Sequence, residues 1–360
     1  MNTEKKNQHY IPKFYLRNFS FNGNQKQIGL FNIENEVFIR TAKLKTQGSK
    51  NFFYGYDGVV EDSLANIEGH LSGVLKDIIS NRSLPTKGGL KHFELLLFVT
   101  ITDLRNPVKI ESMKASFSEM RRQLLTIDPK ADVEKLVPNP SHEHLVRTFL
   151  SGSVEMAEMI SDLNYKLLVN KTSKPFISSN FPVVKYNQFL EGRKWPHSKS
   201  GYGLVGLKIF IPLNHELMLM FYDNGIYKAG DRKKEYLDVT NEKNVDDINI
   251  LQYLNCLDTI YFDHKASEAY VRQLHAKASK FKRANQTRSE LGFLIKEDDS
   301  DNKRVIESGQ KNFLQINKSD CETKLEIEGL KIHSKGKSHQ LNNTLAQLRP
   351  HAAKVRNGGL

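Results

Sequence analysis

The spacing of the apolar residues changes near residue 163, and this change constrains the fold more than any other feature. Between about 60 and 163, apolar side chains recur every three or four positions, which is typical of amphipathic helices. From 164 onward, short apolar or alternating runs predominate and indicate strands. We therefore predict an α+β protein with a small N-terminal hairpin, a mostly helical middle segment, and a mixed or antiparallel sheet in the second half.

The predicted helices lie mainly in the middle segment. The first follows Gly58, and further helices are expected at about 90–104, 110–124 and 142–163, where Pro107 separates the second from the third. The buried face of the first predicted helix consists of Leu64, Ile67, Leu71, Val74, Leu75 and Ile78.

Alternating or continuous apolar runs predict the strands. The N-terminal hairpin is expected over 27–32 and 36–40. Two helices, at 246–257 and 266–282, interrupt the second half. The remaining strands are predicted at 165–169, 176–179, 183–186, 207–211, 217–222 and 259–262.

The domain organisation is predicted to be one large domain over residues 1–290. Two lobes, 1–163 and 164–290, would form a cleft between them. Residues 291–360 are expected to form a linker and a basic C-terminal extension, because an acidic polar run at 297–301 resembles a linker. Within this extension, only the segment around 324–327 has the pattern of a weak hairpin.

The positive charge is unevenly distributed. The chain carries a net charge of +12, and residues 329–360 contain six Lys or Arg residues and no acidic residue. Residues 1–50 contain nine Lys or Arg residues against three Glu. Such an excess indicates either a polyanionic partner such as nucleic acid or a solvated surface with a charged tail.

Neither a membrane span nor a disulfide framework is predicted. The longest apolar runs are far shorter than the roughly 20 residues that cross a bilayer, and no apolar signal-peptide core follows the polar N-terminus. Two cysteines, Cys256 and Cys321, are too few for a metal cluster or a secreted disulfide scaffold. We expect a cytoplasmic protein with no membrane partner.

The segment from Gln8 to Phe19 contains the strongest candidate for a functional residue. His9 precedes Pro12, which suits the first turn of a helix, and a dense aromatic and aliphatic cluster follows. We predict that His9 lies at the edge of a packed wall near the positive end of a short helix. That field disfavours protonation, so the imidazole would be neutral at pH 7 and able to accept a proton.

Further candidates come from three other segments. Glu61 and Glu68 lie two turns apart on one helix and could bind a divalent cation or share acid and base roles, or they could simply be solvated. Arg105 ends an apolar helix and would either clamp an anion or pair with one of these glutamates. Ser179 follows a strand in a turn at 178–182, whose polar side chains could line a cleft or cap backbone groups.

Basic residues on two segments are candidates for nucleic-acid binding. Lys13 and Arg17 belong to the opening segment. Arg272, Lys277 and Lys280 lie on the helix at 266–282, where aromatic side chains are interleaved with them. The same helix could equally lie on the surface with its aromatic side chains buried.

Several of these segments together resemble a bacterial family known as domain of unknown function 4238. The matching segments are Gln8–Phe19, Val60-Glu61 with Ile67-Glu68, Asp103–Pro107, Ser178–Pro182, Ile211–Leu213 and Asn255. The resemblance implies that His9, Glu61, Glu68, Arg105 and the turn at 178–182 form one recurring set. It also associates the chain with bacterial conflict or phage defence.

These observations lead to an expected function. The leading hypothesis is a nuclease-like hydrolase, with RNA favoured over DNA, in which His9 is the general base or acid and Arg105 binds phosphate. Glu61 and Glu68 would position water or a metal, with Mg²⁺ or Mn²⁺ as candidates, and Ser179 completes the catalytic set. No residue is assigned as a metal ligand. The alternative is a non-catalytic protein that binds nucleic acid or a phage component.

Overall fold

The computed structural model describes residues 6–195, 198–283, 289–293, 313–317, 323–341 and 347–358. Its N-terminal part contains a short helix, a hairpin and a separate two-stranded sheet. The predicted hairpin is present, and the strand Asn7–His9 pairs with the strand Ser49–Asn51 in an antiparallel ladder. The elements are β1 (Asn7–His9), α1 (Lys13–Leu16), β2 (Gln27–Asn32), β3 (Val37–Lys43) and β4 (Ser49–Asn51).

The middle segment is helical, as predicted. Asn106 caps the helix that starts at Pro107, because its side chain accepts a hydrogen bond from the Val108 N–H at 2.9 Å. The elements are α2 (Val59–Asn81), α3 (Leu90–Leu104), α4 (Pro107–Ile127), α5 (Val133–Leu136), α6 (His142–Ser151) and α7 (Ser153–Met159).

Two details of the helical prediction are wrong. The single helix expected at 142–163 is divided at Gly152 and ends at Met159, since Gly favours helix ends over helix interiors. Ile67, expected on the buried face of α2, is 40% exposed. It lies at the edge of that face, next to a surface cavity described below.

The second half contains the main sheet and a smaller one. The helix predicted at 246–257 spans Glu242–Asn255 and so begins four residues earlier. Of the strand predicted at 176–179, only Ser178 and Ser179 form a strand. The elements are β5 (Asn164–Asn170), β6 (Ser178–Ser179), β7 (Val184–Tyr186), α8 (Gln188–Gly192), β8 (Lys208–Pro212), β9 (Leu217–Tyr222), β10 (Tyr227–Ala229), β11 (Tyr236–Val239), α9 (Glu242–Asn255), β12 (Thr259–Phe262) and α10 (Glu268–Ala278).

The five-stranded sheet has the order β11-β5-β9-β8-β7 and is mixed, because β11 and β5 are parallel while the other pairs are antiparallel. Its two faces belong to different cores. Leu219 and Phe221 of β9 pack in the core that contains α2 and α3, whereas Met218 and Met220 pack in the core that contains α9 and α10. Burial on both faces explains why β9 is a continuous apolar run.

A four-stranded sheet of order β3-β2-β12-β6 joins distant parts of the chain. Its central pair brings β2 against β12, with Phe31 opposite Ile260. Both ranges proposed as lobes therefore contribute strands to one sheet. Within β2, the register shifts between Ile28 and Leu30. Gly29 stands at this shift, and an added Cβ there would come within 2.3 Å of the Phe262 ring.

Residues 323–341 and 347–358 of the C-terminal extension pack on the rest of the protein. Arg349 is buried and bonds the Asp162 carboxylate at 2.9 and 3.0 Å, and it also donates to the carbonyls of Tyr202 and Leu204. The segment at 324–327 is not a strand. The acidic run at 297–301 lies outside the described residues. The elements are β13 (Ser289–Phe293), β14 (Phe313–Asn317), β15 (Leu330–Ile332), α11 (Ser334–Ser338) and α12 (Pro350–Arg356).

Candidate functional site

A polar cavity of about 140 Å³ lies where α1 and the end of α3 face α2. It brings together four of the five side chains predicted to be catalytic, and the first basic residue of α1 joins them. Its lining consists of His9, Lys13, Glu61, Leu64, Ala65, Glu68 and Arg105. Cationic, anionic and titratable groups from three distant segments thus share one cavity.

His9 is held in place mainly through its backbone and its neighbours. The His9 carbonyl accepts a hydrogen bond from the Tyr54 hydroxyl at 2.9 Å. In the β1–β4 ladder, His9 lies opposite Ser49. The preceding Gln8 side chain accepts from the Tyr54 N–H at 2.5 Å and donates to the Gly55 carbonyl at 3.0 Å. The Gln-His pair of the opening segment therefore anchors the aromatic segment after β4 to the cavity.

The His9 ring is hydrogen-bonded to the backbone of Lys45 and of Asn7, and the Lys45 contact determines which nitrogen carries the hydrogen. Its Nε2 lies 3.2 Å from the Lys45 carbonyl oxygen. A carbonyl can only accept, so in the neutral ring Nε2 carries the hydrogen and Nδ1 keeps its lone pair. The imidazole is therefore arranged to accept a proton at Nδ1.

The His9 imidazole is neutral at pH 7. Burial, together with the charges of Lys13 and Arg105, lowers its pKa from 6.5 to about 4, and hydrogen bonds to the Lys45 and Asn7 backbones oppose this shift. The ring is 7% exposed. The direction of the shift agrees with the prediction from sequence, but its main cause is desolvation rather than the end of a helix.

The Arg105 guanidinium forms an ion pair with Glu68. It is 1% exposed, and its Nη1 donates to the Glu68 Oε1 at 2.8 Å. Of the two alternatives left by the sequence, the structure contains the ion pair with Glu68. Within the described part of the chain, the Arg105 Nε and Nη2 atoms are buried without a hydrogen-bond partner. The guanidinium therefore retains hydrogen-bonding capacity that Glu68 does not use.

The two glutamates of α2 both face the cavity and are half-buried. Their helix starts at Gly58, which has a φ of +73°, and the Asp57 carboxylate accepts from the Val59 N–H at 3.1 Å. Their oxygens could contribute to a divalent cation. Among the residues that the structure describes, however, no group of three or more His, Cys, Asp or Glu side chains is placed to hold one.

Ser179 is the one predicted catalytic residue that does not line this cavity. Its hydroxyl donates to the Gln252 Oε1 at 2.8 Å and accepts from the Phe181 N–H at 3.2 Å. The neighbouring Ser178 hydroxyl bonds the Tyr15 hydroxyl at 2.7 Å. These contacts tie the turn at 178–182 to α9 and α1, which gives Ser179 a buried structural position.

The predicted basic residues differ in how their charges are used. Lys277 bonds the Asp246 carboxylate at 2.6 Å, and Arg272 pairs with Glu268 at 2.8 Å. By contrast, Lys13 of α1, Arg17 directly after α1 and Lys280 after α10 are exposed. Two of the three residues predicted to bind nucleic acid on the helix at 266–282 are thus neutralised within the protein, which favours the surface-helix interpretation.

Tyr54 and Lys45 support the site and were not predicted from sequence. Tyr54 is buried, and burial raises its pKa. Lys45 contributes its backbone carbonyl, which no residue-type pattern can reveal. The aromatic run at 51–56 was the available signal for Tyr54, but its contact with His9 depends on the β1–β4 pairing.

A larger cavity of about 360 Å³ lies on a neighbouring face of α2. Its lining is mainly aliphatic, with three serines and with Arg147 as its one charged residue, and it shares Leu64 with the polar cavity. Arg147 pairs with Asp57 at its edge. The larger cavity has no histidine or carboxylate that could transfer a proton. The polar cavity, although smaller, is therefore the candidate reactive site.

Fold and site together define an α+β protein with a neutral histidine, two cations and two carboxylates around one cavity. The chain belongs to the family described as Protein of unknown function (DUF4238), whose family model matches residues 7–266. This confirms the resemblance noted from the sequence. No curated protein and no solved structure matches the chain. Within the described residues, each helix is too short or too polar to cross a bilayer.

Proposed function

We propose that this protein is a nuclease-like hydrolase that acts on RNA or DNA, with RNA as the favoured substrate. The observation that supports this proposal is the placement of a neutral imidazole beside an ammonium, a guanidinium and two carboxylates in one cavity. The proposal includes a cytoplasmic role as a bacterial toxin or anti-phage effector, which the family resemblance suggests.

Each side chain has a defined part in the proposed reaction. The His9 Nδ1 would take a proton from the attacking hydroxyl or water, while the Lys13 ammonium and the Arg105 guanidinium compensate the charge of the phosphate. Glu68 would hold Arg105 in place. Glu61 would position water, or contribute to a Mg²⁺ or Mn²⁺ ion if one binds.

RNA is favoured because it carries its own nucleophile. Its 2′-hydroxyl would give its proton to the His9 Nδ1 and attack the adjacent phosphorus. The bond from phosphorus to the 5′-oxygen would break, leaving a 2′,3′-cyclic phosphate, and the departing 5′-oxygen would take a proton from the imidazolium or from water. An imidazole with a pKa of about 4 is a weak base in the free protein. A bound phosphate would raise that pKa, because a nearby negative charge favours the imidazolium.

Cleavage of labelled single-stranded and duplex RNA and DNA would test the proposal, with Mg²⁺, with Mn²⁺ and with a chelator. We expect RNA cleavage by the wild type and a loss of about 10²- to 10⁴-fold in kcat for His9→Asn. The matched control is His92→Asn, because His92 is also buried and its pKa is also lowered to about 4, but it lies outside the cavity. Equal cleavage by His9→Asn and wild type would refute the role of His9, and absence of cleavage would refute the enzyme proposal.

The exposed cations of the C-terminal extension favour a second candidate function, that of a protein that binds nucleic acid without cleaving it. We expect this binding to be salt-sensitive, unchanged in His9→Asn, and weakened by the pair Lys335→Glu and Lys337→Glu. Unchanged affinity in that pair would refute this version. The exposed side chains are Lys331, Lys335, Lys337, Lys354 and Arg356.

A further inference from the structure

A pair of aromatic side chains, the exposed Tyr56 and the half-buried Phe52, follows β4, close in sequence to the residues that hold His9. The rings of Phe52 and Tyr56 have centroids 4.2 Å apart and an interplanar angle of 32°. Tyr56 is 79% exposed. Phe52 has a φ of +53°, a left-handed conformation that is unfavourable for an aromatic residue. The backbone is thus held in a strained conformation in the turn that presents this pair to solvent.

Hydrogen bonds fix this turn to the strand that carries His9. The Phe52 N–H donates to the Lys6 carbonyl at 2.8 Å, and the Gly55 carbonyl accepts from the Gln8 side chain at 3.0 Å. Between them, the Tyr54 hydroxyl donates to the His9 carbonyl at 2.9 Å. The aromatic pair and the cavity are therefore parts of one rigid unit.

Exposed cations lie on the same N-terminal segment. Lys13 lines the cavity, and Lys50 directly precedes the turn, opposite Gln8 in the β1–β4 ladder. The side chains of Lys13, Arg17, Lys45 and Lys50 are exposed, and the ion pairs found between described residues include none of them. This contrasts with α10, where two of the three predicted cations are already paired.

The acidic residue next to Tyr56 in sequence, Asp57, is paired within the protein. The Asp57 carboxylate is bound by the Arg147 guanidinium and by the Val59 N–H. Glu143 packs against Gly55, on the side of the turn that faces α6. Asp57 is thus neutralised, so the cations of the N-terminal segment can attract a phosphate chain toward the exposed Tyr56 ring.

We propose that Phe52 and Tyr56 form a stacking platform for an unpaired nucleobase, so that the strand bound at the His9 cavity is single-stranded. This inference rests on the proposed function and specifies its substrate class. A flat exposed ring beside lysines is the combination that binds single strands without sequence preference. Bases within a duplex are already stacked on their neighbours and present only their edges, so a duplex cannot use this platform.

Binding of short single-stranded RNA that contains 2-aminopurine tests the proposal, because the fluorescence of this base is quenched when it stacks. The His9→Asn background prevents turnover during the measurement. In that background, we expect Tyr56→Ala to weaken binding by about 5- to 150-fold and to abolish the quenching. Tyr56→Phe should retain both. Tyr236→Ala, which removes a 40% exposed tyrosine on β11, is the matched control and should bind normally.

The outcomes separate this inference from the proposed function. Tyr56-dependent binding without any cleavage by the wild type would support the platform and overturn the nuclease proposal. Cleavage by the wild type with an unchanged KM in Tyr56→Ala would overturn the platform alone. An equal loss of single-strand and duplex binding in Tyr56→Ala would also overturn it, since stacking requires an unpaired base.

Discussion

The buried neutral ring of His9 predicts that the protein loses stability as the solution becomes acidic. Its pKa is lowered to about 4 in the folded protein, against 6.5 for an unperturbed histidine. Between these two pH values, the unfolded chain binds a proton that the folded protein excludes. The free energy of unfolding should therefore fall as the pH decreases from about 6.5 toward 4.

The size of this effect follows from the shift itself. The difference between 6.5 and about 4 corresponds to about 3 kcal/mol, at about 1.4 kcal/mol per pH unit. Most of this loss, about 2 kcal/mol, should already be present at pH 5. A loss of this size is a substantial part of the total stability of a typical domain, which is about 5–15 kcal/mol.

Urea unfolding between pH 4.5 and 8 measures this contribution, with His9→Asn compared against the wild type. The substitution also changes packing, but that change adds a constant offset, so only the difference in slope matters. The His92→Asn variant should remove a second contribution of the same sign, because burial also lowers the pKa of His92 to about 4. Among wild type, the two single variants and the double variant, the free energy of unfolding of the double variant should depend least on pH in the acidic range.

One result would refute this reasoning. If the unfolding free energies of wild type and His9→Asn run parallel within about 0.5 kcal/mol across the pH range, the folded protein does not exclude a proton from this ring. An NMR titration of the His9 ring gives an independent measurement. A midpoint near 6.5 would contradict the lowered pKa directly.

Three further predictions concern other contacts. Glu68→Gln should lower the free energy of unfolding, measured in urea, by about 2–3 kcal/mol, because it leaves the buried Arg105 without its charged partner. A double-mutant cycle with Arg105→Met should give a coupling energy above about 1 kcal/mol. The His215 Nδ1 lies 2.5 Å from the Asp263 carboxylate, and this hydrogen bond raises the His215 pKa. The ion pair therefore stabilises the fold fully below about pH 6.5, and its contribution disappears as the pH rises through the raised pKa. Asp263→Asn should accordingly lower the Tm more at pH 6 than at pH 9, and an equal loss would contradict the pairing. Gly29→Ala should cost about 1–3 kcal/mol, because its methyl group would overlap an aromatic ring of β12, whereas a wild-type Tm would show that the ring can move aside.

Local patterns were sufficient for most of the elements. The N-terminal hairpin, α3 and the pair β8–β9 follow directly from the spacing of apolar residues. The interruption at Gly152 was missed because the apolar spacing continues across it. The pairing of β2 with β12 could not be predicted, because nothing in either segment encodes the register between such distant strands.

The candidate site was predicted in composition but not in detail. The family resemblance grouped His9, Arg105 and the two glutamates, and the structure places them around one cavity. Ser179 belonged to the same set, yet its hydroxyl is bonded to Gln252 away from the cavity. Membership in the set of residues that recur in the family therefore does not distinguish a side chain that lines the cavity from one that is bonded within the protein behind it.

The junction of β2 with β12 has a consequence for synthesis in the cell. β2 emerges early from the ribosome, but its partner strand ends only at Phe262. At about 5–20 residues per second, translation leaves the β12-facing side of β2 unpaired for on the order of ten seconds or more. An open strand edge of this kind can join to other chains. A nascent chain of this protein should therefore depend on a chaperone, or on fast completion, more than its finished form does.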